Sequence, residues 1–347
     1  MLPTPIFKKT GILTFVLVFV FALLWEFTLR QKGVDHGYDD GGPLWSNQRN
    51  QVYAPVDQST TFIGASRIKF DLDIPTWIEL TGENAVQLAC VGSSPLPVLY
   101  DLSNDPEFKG KLVIDVTEDI FFSVYPWVNE SPDKYLKYYH DITPAQRASF
   151  VINKPLETGF VFLDKGYHSL NALLDRLEVK SRPGVFMSPL FPADFERVQF
   201  SRQCYMQPSF VADPEKQKQM ADIWRFFASF ETAPPIQGAQ LDSLFQTVKE
   251  ASDKITSRGG KVIFVRPPSS GRYWEADQKT YPREKYWDKL ISYTQYPAIH
   301  FMDDPATDHY ICPEESHLTP QDAIDYTKHF VRHLEENGWK FSARKNI

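Results

Sequence analysis

The chain has 347 residues and a formal charge of −7, from 37 Lys and Arg against 44 Asp and Glu. That balance argues against an electrostatic nucleic-acid binder, which needs a basic face. A hydrophobic fraction of 42% excludes a disordered chain and a many-span membrane protein, and three Cys are too few for a disulfide scaffold.

The first element is an apolar run. Residues Gly11 to Trp25 carry no charge, and apolar character extends back to Ile6 and on to Leu29 past a single Glu26. About 20 helical residues cross about 30 Å of hydrocarbon, so residues 6–29 read as a transmembrane anchor. Lys8 and Lys9 precede the run. The positive-inside rule then leaves the amino end cytoplasmic and the main domain outside, as a single-pass protein of the cell membrane. The run closes with bulky Leu23, Leu24, Trp25 and Phe27 and shows no small-x-small cleavage site, which favours an uncleaved anchor over a removed signal peptide.

Residues 30–55 are rich in Gly, Asp, Asn and Gln and read as a linker. From 56 to 340 the pattern is α/β. Five short apolar runs read as strands: Thr60–Ile63, Ala85–Val91, Lys111–Val116, Lys261–Val265 and Ala298–Met302. Continuous runs of this kind suit strands buried on both faces of a parallel sheet. The spacing of Leu241, Leu244, Phe245, Val248 and Ile255 predicts a helix over 240–258, stopped by Gly259-Gly260. A second helix is expected over 319–336, with Pro320 in its first turn. The stretch from about 120 to 239, rich in aromatics and Pro, fits no βα repeat and reads as a mostly helical inserted cap or a packing subdomain.

In a parallel α/β sheet, ligands sit beyond the carboxyl ends of the strands. Those ends carry Ser66, Gly92, Asp119 and Arg266. Ser66 is a candidate nucleophile, and the N–H groups of Ser66 and Gly92 are candidate oxyanion donors. His317, directly before the last helix, is the candidate base, and Glu314 lies one turn before it, placed to orient the imidazole. Each has a plainer role: Ser66 as a helix cap, His317 as a surface or capping residue. Arg266 is a candidate for gripping an anionic sugar or an acyl carbonyl, beside a purely structural role. Asp115 and Asp119 could orient site loops or cap helices.

The blocks Phe62-Ile63-Gly64-Ala65-Ser66, Val91-Gly92-Ser93-Ser94 and Glu314-x-x-His317-Leu318 resemble those of the SGNH (GDSL-like) hydrolase superfamily, in its membrane-anchored branch associated with O-acylation of extracytoplasmic polysaccharides. The resemblance implies a flavodoxin-like parallel sheet of order 2-1-3-4-5. It also implies a Ser nucleophile with a His base, a cell-surface polysaccharide substrate, and a membrane-bound O-acyltransferase as partner. Three departures stand out: Ala65 where the family commonly has Asp, no Asn in Val116-Thr117-Glu118-Asp119, and Glu314 where Asp is usual. The expected function is acyl transfer to, or O-deacylation of, that polysaccharide. The alternative is a non-catalytic glycan-binding or scaffold protein on a degenerate fold of this kind.

No phosphate loop, dinucleotide fingerprint or His-Glu-x-x-His is present, so no cofactor is expected. His309, Cys312 and His317, and the pair His329 and His333, are zinc-capable residue types, but their spacing matches no zinc motif and no metal is expected. In an oxidising exterior Cys204 could bridge to Cys312, with Cys90 a packed thiol.

Overall fold

The structure is a computed structural model that describes residues 5–168, 170–174, 177, 184 and 188–341. The chain forms two compact units, Met1–Asp39 with Thr143–Met187 and Asp40–Ile142 with Ser188–Ile347. The middle of the stretch expected as an insertion, including 178–183 and 185–187, lies outside the described residues.

The first unit is built on the helix Pro5–Gln31, 27 residues and so about 40 Å long. It is long and apolar enough to cross a bilayer, and most side chains from Phe7 to Leu24 are exposed. Near its end, Glu26 accepts hydrogen bonds from the backbone N–H groups of Val161 and Phe162, both at 3.1 Å, and from Arg30 at 2.6 Å. The helix Pro144–Gly159 starts on a capping box, in which Thr143 and Gln146 satisfy each other's backbone donors.

The second unit contains a five-stranded, all-parallel sheet: β1 (Ser59–Ile63), β2 (Asn84–Gln87), β3 (Lys111–Asp115), β4 (Lys261–Arg266) and β5 (Ala298–His300). The strand order is β2-β1-β3-β4-β5. Successive side chains alternate between two cores. Ile63, Leu112, Ile114 and Phe264 face one core, shared with the helices Leu96–Asn104 and Ala239–Ser257. Phe62, Val113, Ile263 and Val265 face the other, shared with Ile74–Thr81 and Pro320–Glu336. Both faces of β1 and β3 are buried, which suits the apolar pairs and triplets Phe62-Ile63 and Leu112-Val113-Ile114 within them. A two-stranded antiparallel ribbon, Arg197–Val198 with Cys204–Tyr205, stands apart from the sheet.

Two expectations are corrected. Within 30–55, residues 42–53 are not linker: Gly42–Arg49 is a helix followed by a 3-10 turn, Asn50–Tyr53. Trp45 is fully buried there and donates its indole N–H to Leu88 O at 3.0 Å. A polar composition hid one large apolar anchor. The three Cys are free thiols, and Cys204 does not bridge to Cys312. Cys90, Cys204 and Cys312 each pack into a different hydrophobic cluster.

Candidate functional site

The parallel sheet brings the ends of β1, β2 and β3 side by side. After β1 the chain turns tightly through Gly64 and Ala65 into the short helix Ser66–Phe70. Gly64 is required by close approach: a Cβ there would overlap the Asp115 side chain and lie 2.8 Å from Ile68 Cγ2. Asp115, at the end of β3, accepts the Ala65 N–H at 3.0 Å and so holds the residue before Ser66. Thr117 Oγ1 also donates to this carboxyl group, at 3.3 Å. Burial outweighs these bonds and pushes Asp115 up to about 6. After β2, Gly92 takes a left-handed conformation with φ of +59°. Among the described residues, no hydrogen bond uses the N–H of Ser66 or Gly92.

Ser66, Gly92 and His317 all line one cavity of about 790 Å³. The loop before the last helix carries the His. Glu314, fully buried, accepts the His317 N–H at 2.6 Å and pairs with His317 Nδ1 at 2.9 Å. A carboxylate at Nδ1 fixes the proton there and leaves Nε2 as the acceptor. Nε2 has no hydrogen-bond partner. The ring is packed among Phe70 (4.4 Å between centroids), Phe195 (5.9 Å) and Trp224 (6.0 Å).

Three positions outside the sequence-derived set complete this arrangement. Trp224 donates its indole N–H to the second oxygen of Glu314. Asp71, just beyond the Ser66 helix, accepts the Leu318 N–H at 2.9 Å. Phe70 ends that helix and packs against the imidazole with its ring tilted by 35°. The five-residue helix thus carries the candidate nucleophile at one end and supports the candidate base at the other. No spacing links Asp71 or Trp224 to His317 in the sequence; only the fold brings them together. Glu315, in the same loop, has a positive φ of 77°, uncommon for a residue with a side chain. Its carbonyl accepts the Ser270 N–H at 2.9 Å, which pins the loop beyond β4.

Arg266 lies elsewhere. It is fully buried and absent from the cavity lining. Its guanidinium meets Glu118 at 3.1 Å, Asp277 at 2.9 Å, Ser269 Oγ at 2.7 Å and Pro267 O at 2.7 Å. Arg67 joins the same cluster through Asp277 (3.3 Å) and Glu118 (3.8 Å). These contacts occupy Arg266 and Glu118. Of the residues after β3, Thr117 and Asp119 line the cavity and Glu118 does not. Asp119 accepts the Tyr273 hydroxyl at 2.5 Å.

The zinc-capable residues do not converge: among the described residues no group of three or more could hold a metal ion. His333 bonds Asp304 at 2.6 Å and Glu336 at 2.9 Å instead.

Ser66 Oγ and His317 Nε2 share a cavity but are not hydrogen-bonded. Bonds between a nucleophile and its base often tighten only when substrate arrives. Chemically the arrangement offers a hydroxyl, an oriented imidazole and two main-chain donors around one volume. Compared with known proteins, the sequence matches no family model and no curated protein.

Proposed function

We propose that this cavity is a serine acyl-transfer centre. The observation that carries the reading is the convergence of Ser66, Gly92 and a Glu314-oriented His317 on one cavity, although Ser66 and His317 lie 251 residues apart in the sequence. The sheet order and the three sequence blocks support an SGNH-like fold as its frame.

Ser66 Oγ attacks the carbonyl carbon of an ester while its proton passes to His317 Nε2. The N–H groups of Ser66 and Gly92 receive the developing oxyanion. Glu314 holds the imidazolium, and Trp224 holds Glu314. Collapse breaks the bond to the leaving alkoxide, which takes the proton from Nε2. The acyl group on Ser66 then passes to a hydroxyl of the acceptor, or to water.

The apolar amino-terminal helix, with Lys8 and Lys9 near its start and before the uncharged run, supports a single-pass protein whose main domain faces outward. On the resemblance of its motifs, the acceptor or substrate is a cell-surface polysaccharide and the acyl donor a membrane-bound O-acyltransferase. Turnover of an activated acetyl ester by the full chain tests the reading. Turnover lost in Ser66→Ala and stimulated by a polysaccharide acceptor supports it. Equal turnover by both proteins rejects it.

One observation favours a second reading, a non-catalytic glycan-binding or scaffold protein. No Asn follows β3, and Glu118 is consumed by Arg67 and Arg266. Losing one oxyanion donor typically costs about 10²–10³ in rate.

A further inference from the structure

The cavity is much larger than an acetyl group needs. At about 790 Å³ it falls within the range of about 300–1,000 Å³ of sites that enclose drug-sized ligands. Ser66, Thr117, Asp119 and His317 come from the strand ends and the loop before the last helix. Val124, Trp127, Phe191, Phe227 and Phe230 come from segments between β3 and β4. Four of these five carry no hydrogen-bonding group at all.

Several apolar wall residues are also open to solvent. Val124 is 44% exposed, Trp127 42%, Phe191 42% and Phe230 54%. Apolar side chains gathered at one opening are a mark of a ligand surface. Two charged groups on the wall, Arg225 and Glu231, are satisfied or weakened by their surroundings. Arg225 pairs with Asp222 at 2.6 Å and Glu315 at 3.3 Å. Burial, with Asp119 nearby, pushes Glu231 up to about 7. Against these apolar side chains a sugar would strip water from its hydroxyls and gain no hydrogen bond from them.

We infer that the cavity binds an apolar hydrocarbon chain, and that the acyl group handled at Ser66 is octanoyl-like rather than acetyl. The second half of this inference rests on the proposed acyl chemistry; the first half does not. The chain lies along Val124, Phe191, Phe227 and Phe230, with its carbonyl at Ser66 and the leaving oxygen toward His317. Attack, collapse and proton return are those of the mechanism above, so no further reactant is needed.

Two measurements on the full chain in lipid nanodiscs test this, with empty nanodiscs as the blank. The first is binding of octanoate, acetate and a soluble chitooligosaccharide to Ser66→Ala, followed by Trp fluorescence, since Trp127 and Trp224 line the cavity. Octanoate is expected to bind at least tenfold more tightly than acetate, because each buried methylene is worth about fourfold. Ala228→Trp, which places bulk on an exposed lining position, is expected to remove most of that preference. Equal binding of octanoate and acetate, or competition by the oligosaccharide alone, overturns the inference.

The second is the kcat/KM series for p-nitrophenyl acetate, butyrate, hexanoate and octanoate with the wild-type chain. A rise of about three- to fourfold per methylene over the first members supports an apolar acyl group. A flat or falling series overturns it. Tight octanoate binding with no ester turned over sustains the apolar site and rejects the acyl chemistry, so the two failures are distinct.

Discussion

Asp71 Oδ1 accepts the backbone N–H of Leu318 at 2.9 Å, and so ties the end of the Ser66 helix to the residue after His317. Asp71 is fully buried, and burial raises its pKa well above the usual carboxylate range. Its neutral form still accepts through the carbonyl oxygen. Asp71→Asn should therefore keep both the fold and the turnover close to wild type. Asp71→Ala leaves the Leu318 N–H buried and unpaired, at a cost of about 1–3 kcal/mol. It should also lower kcat more than it raises KM, because the base loses its position. Thermal unfolding and steady-state kinetics on the two variants check this; equal kinetics for Asn and Ala would show that the bond has no part in positioning His317.

Arg266 tests the difference between a binding and a structural role. Its guanidinium is enclosed by Glu118, Asp277 and the rings of Trp274 and Phe301. Arg266→Met leaves two buried carboxylates short of a partner, and breaking a buried pair costs about 3–5 kcal/mol. The expected result is a large drop in melting temperature, with KM unchanged in the protein that remains folded at low temperature. A stable Arg266→Met protein with a raised KM would return Arg266 to the substrate.

Gly64→Ala is a steric prediction. The added methyl group meets Asp115 and Ile68 at the turn that presents Ser66. Overpacking of this kind costs about 1–3 kcal/mol. Gly92→Ala meets no atom within 4 Å, so its cost is conformational alone, about 1–2 kcal/mol for a left-handed position. Chemical denaturation of both variants should rank Gly64→Ala as the less stable or the two as similar. A wild-type midpoint for Gly64→Ala would show that the turn is not tight.

Asp115 predicts a pH dependence of stability. Its folded pKa of about 6 lies above that of an unfolded Asp, near 4. Between those values the unfolded chain has released the proton and the folded chain still holds it. Stability contributed by this group therefore falls as pH rises from about 4 to about 6, and is level above that window. Asp115→Asn should flatten the denaturation midpoint across the same window. An unchanged profile would mean that Asp115 ionises in the folded protein as it does in the unfolded one.

The positions of each strand and of the two long helices were legible in the sequence because each leaves a local signal, although β2 ends at Gln87 rather than Val91 and β5 at His300 rather than Met302. Ile63, Ile114 and Phe264 sit in short runs of apolar and β-branched residues, and Thr319-Pro320 opens the last helix. Glu314 and His317 were legible as a pair because three residues suffice for the contact. What was not legible depends on distance along the chain. Trp224 lies 90 residues before Glu314, and Asp71 lies 247 before Leu318. The burial of Arg266 was hidden as well, since its partners Glu118 and Asp277 are ordinary surface residue types. Trp45 was missed because one ring in a Gly- and Asn-rich stretch carries no periodicity.

The central claim is that Ser66 is a nucleophile activated by His317, and a fluorophosphonate probe reads this directly. The full chain is treated with the probe, digested, and the modified peptide located by mass spectrometry, alongside Ser66→Ala and His317→Ala. The expected result is an adduct on Ser66, no adduct in Ser66→Ala, and labelling slowed about 10²–10⁴-fold in His317→Ala. An unlabelled wild-type protein, or an adduct on another residue that persists in Ser66→Ala, would contradict it.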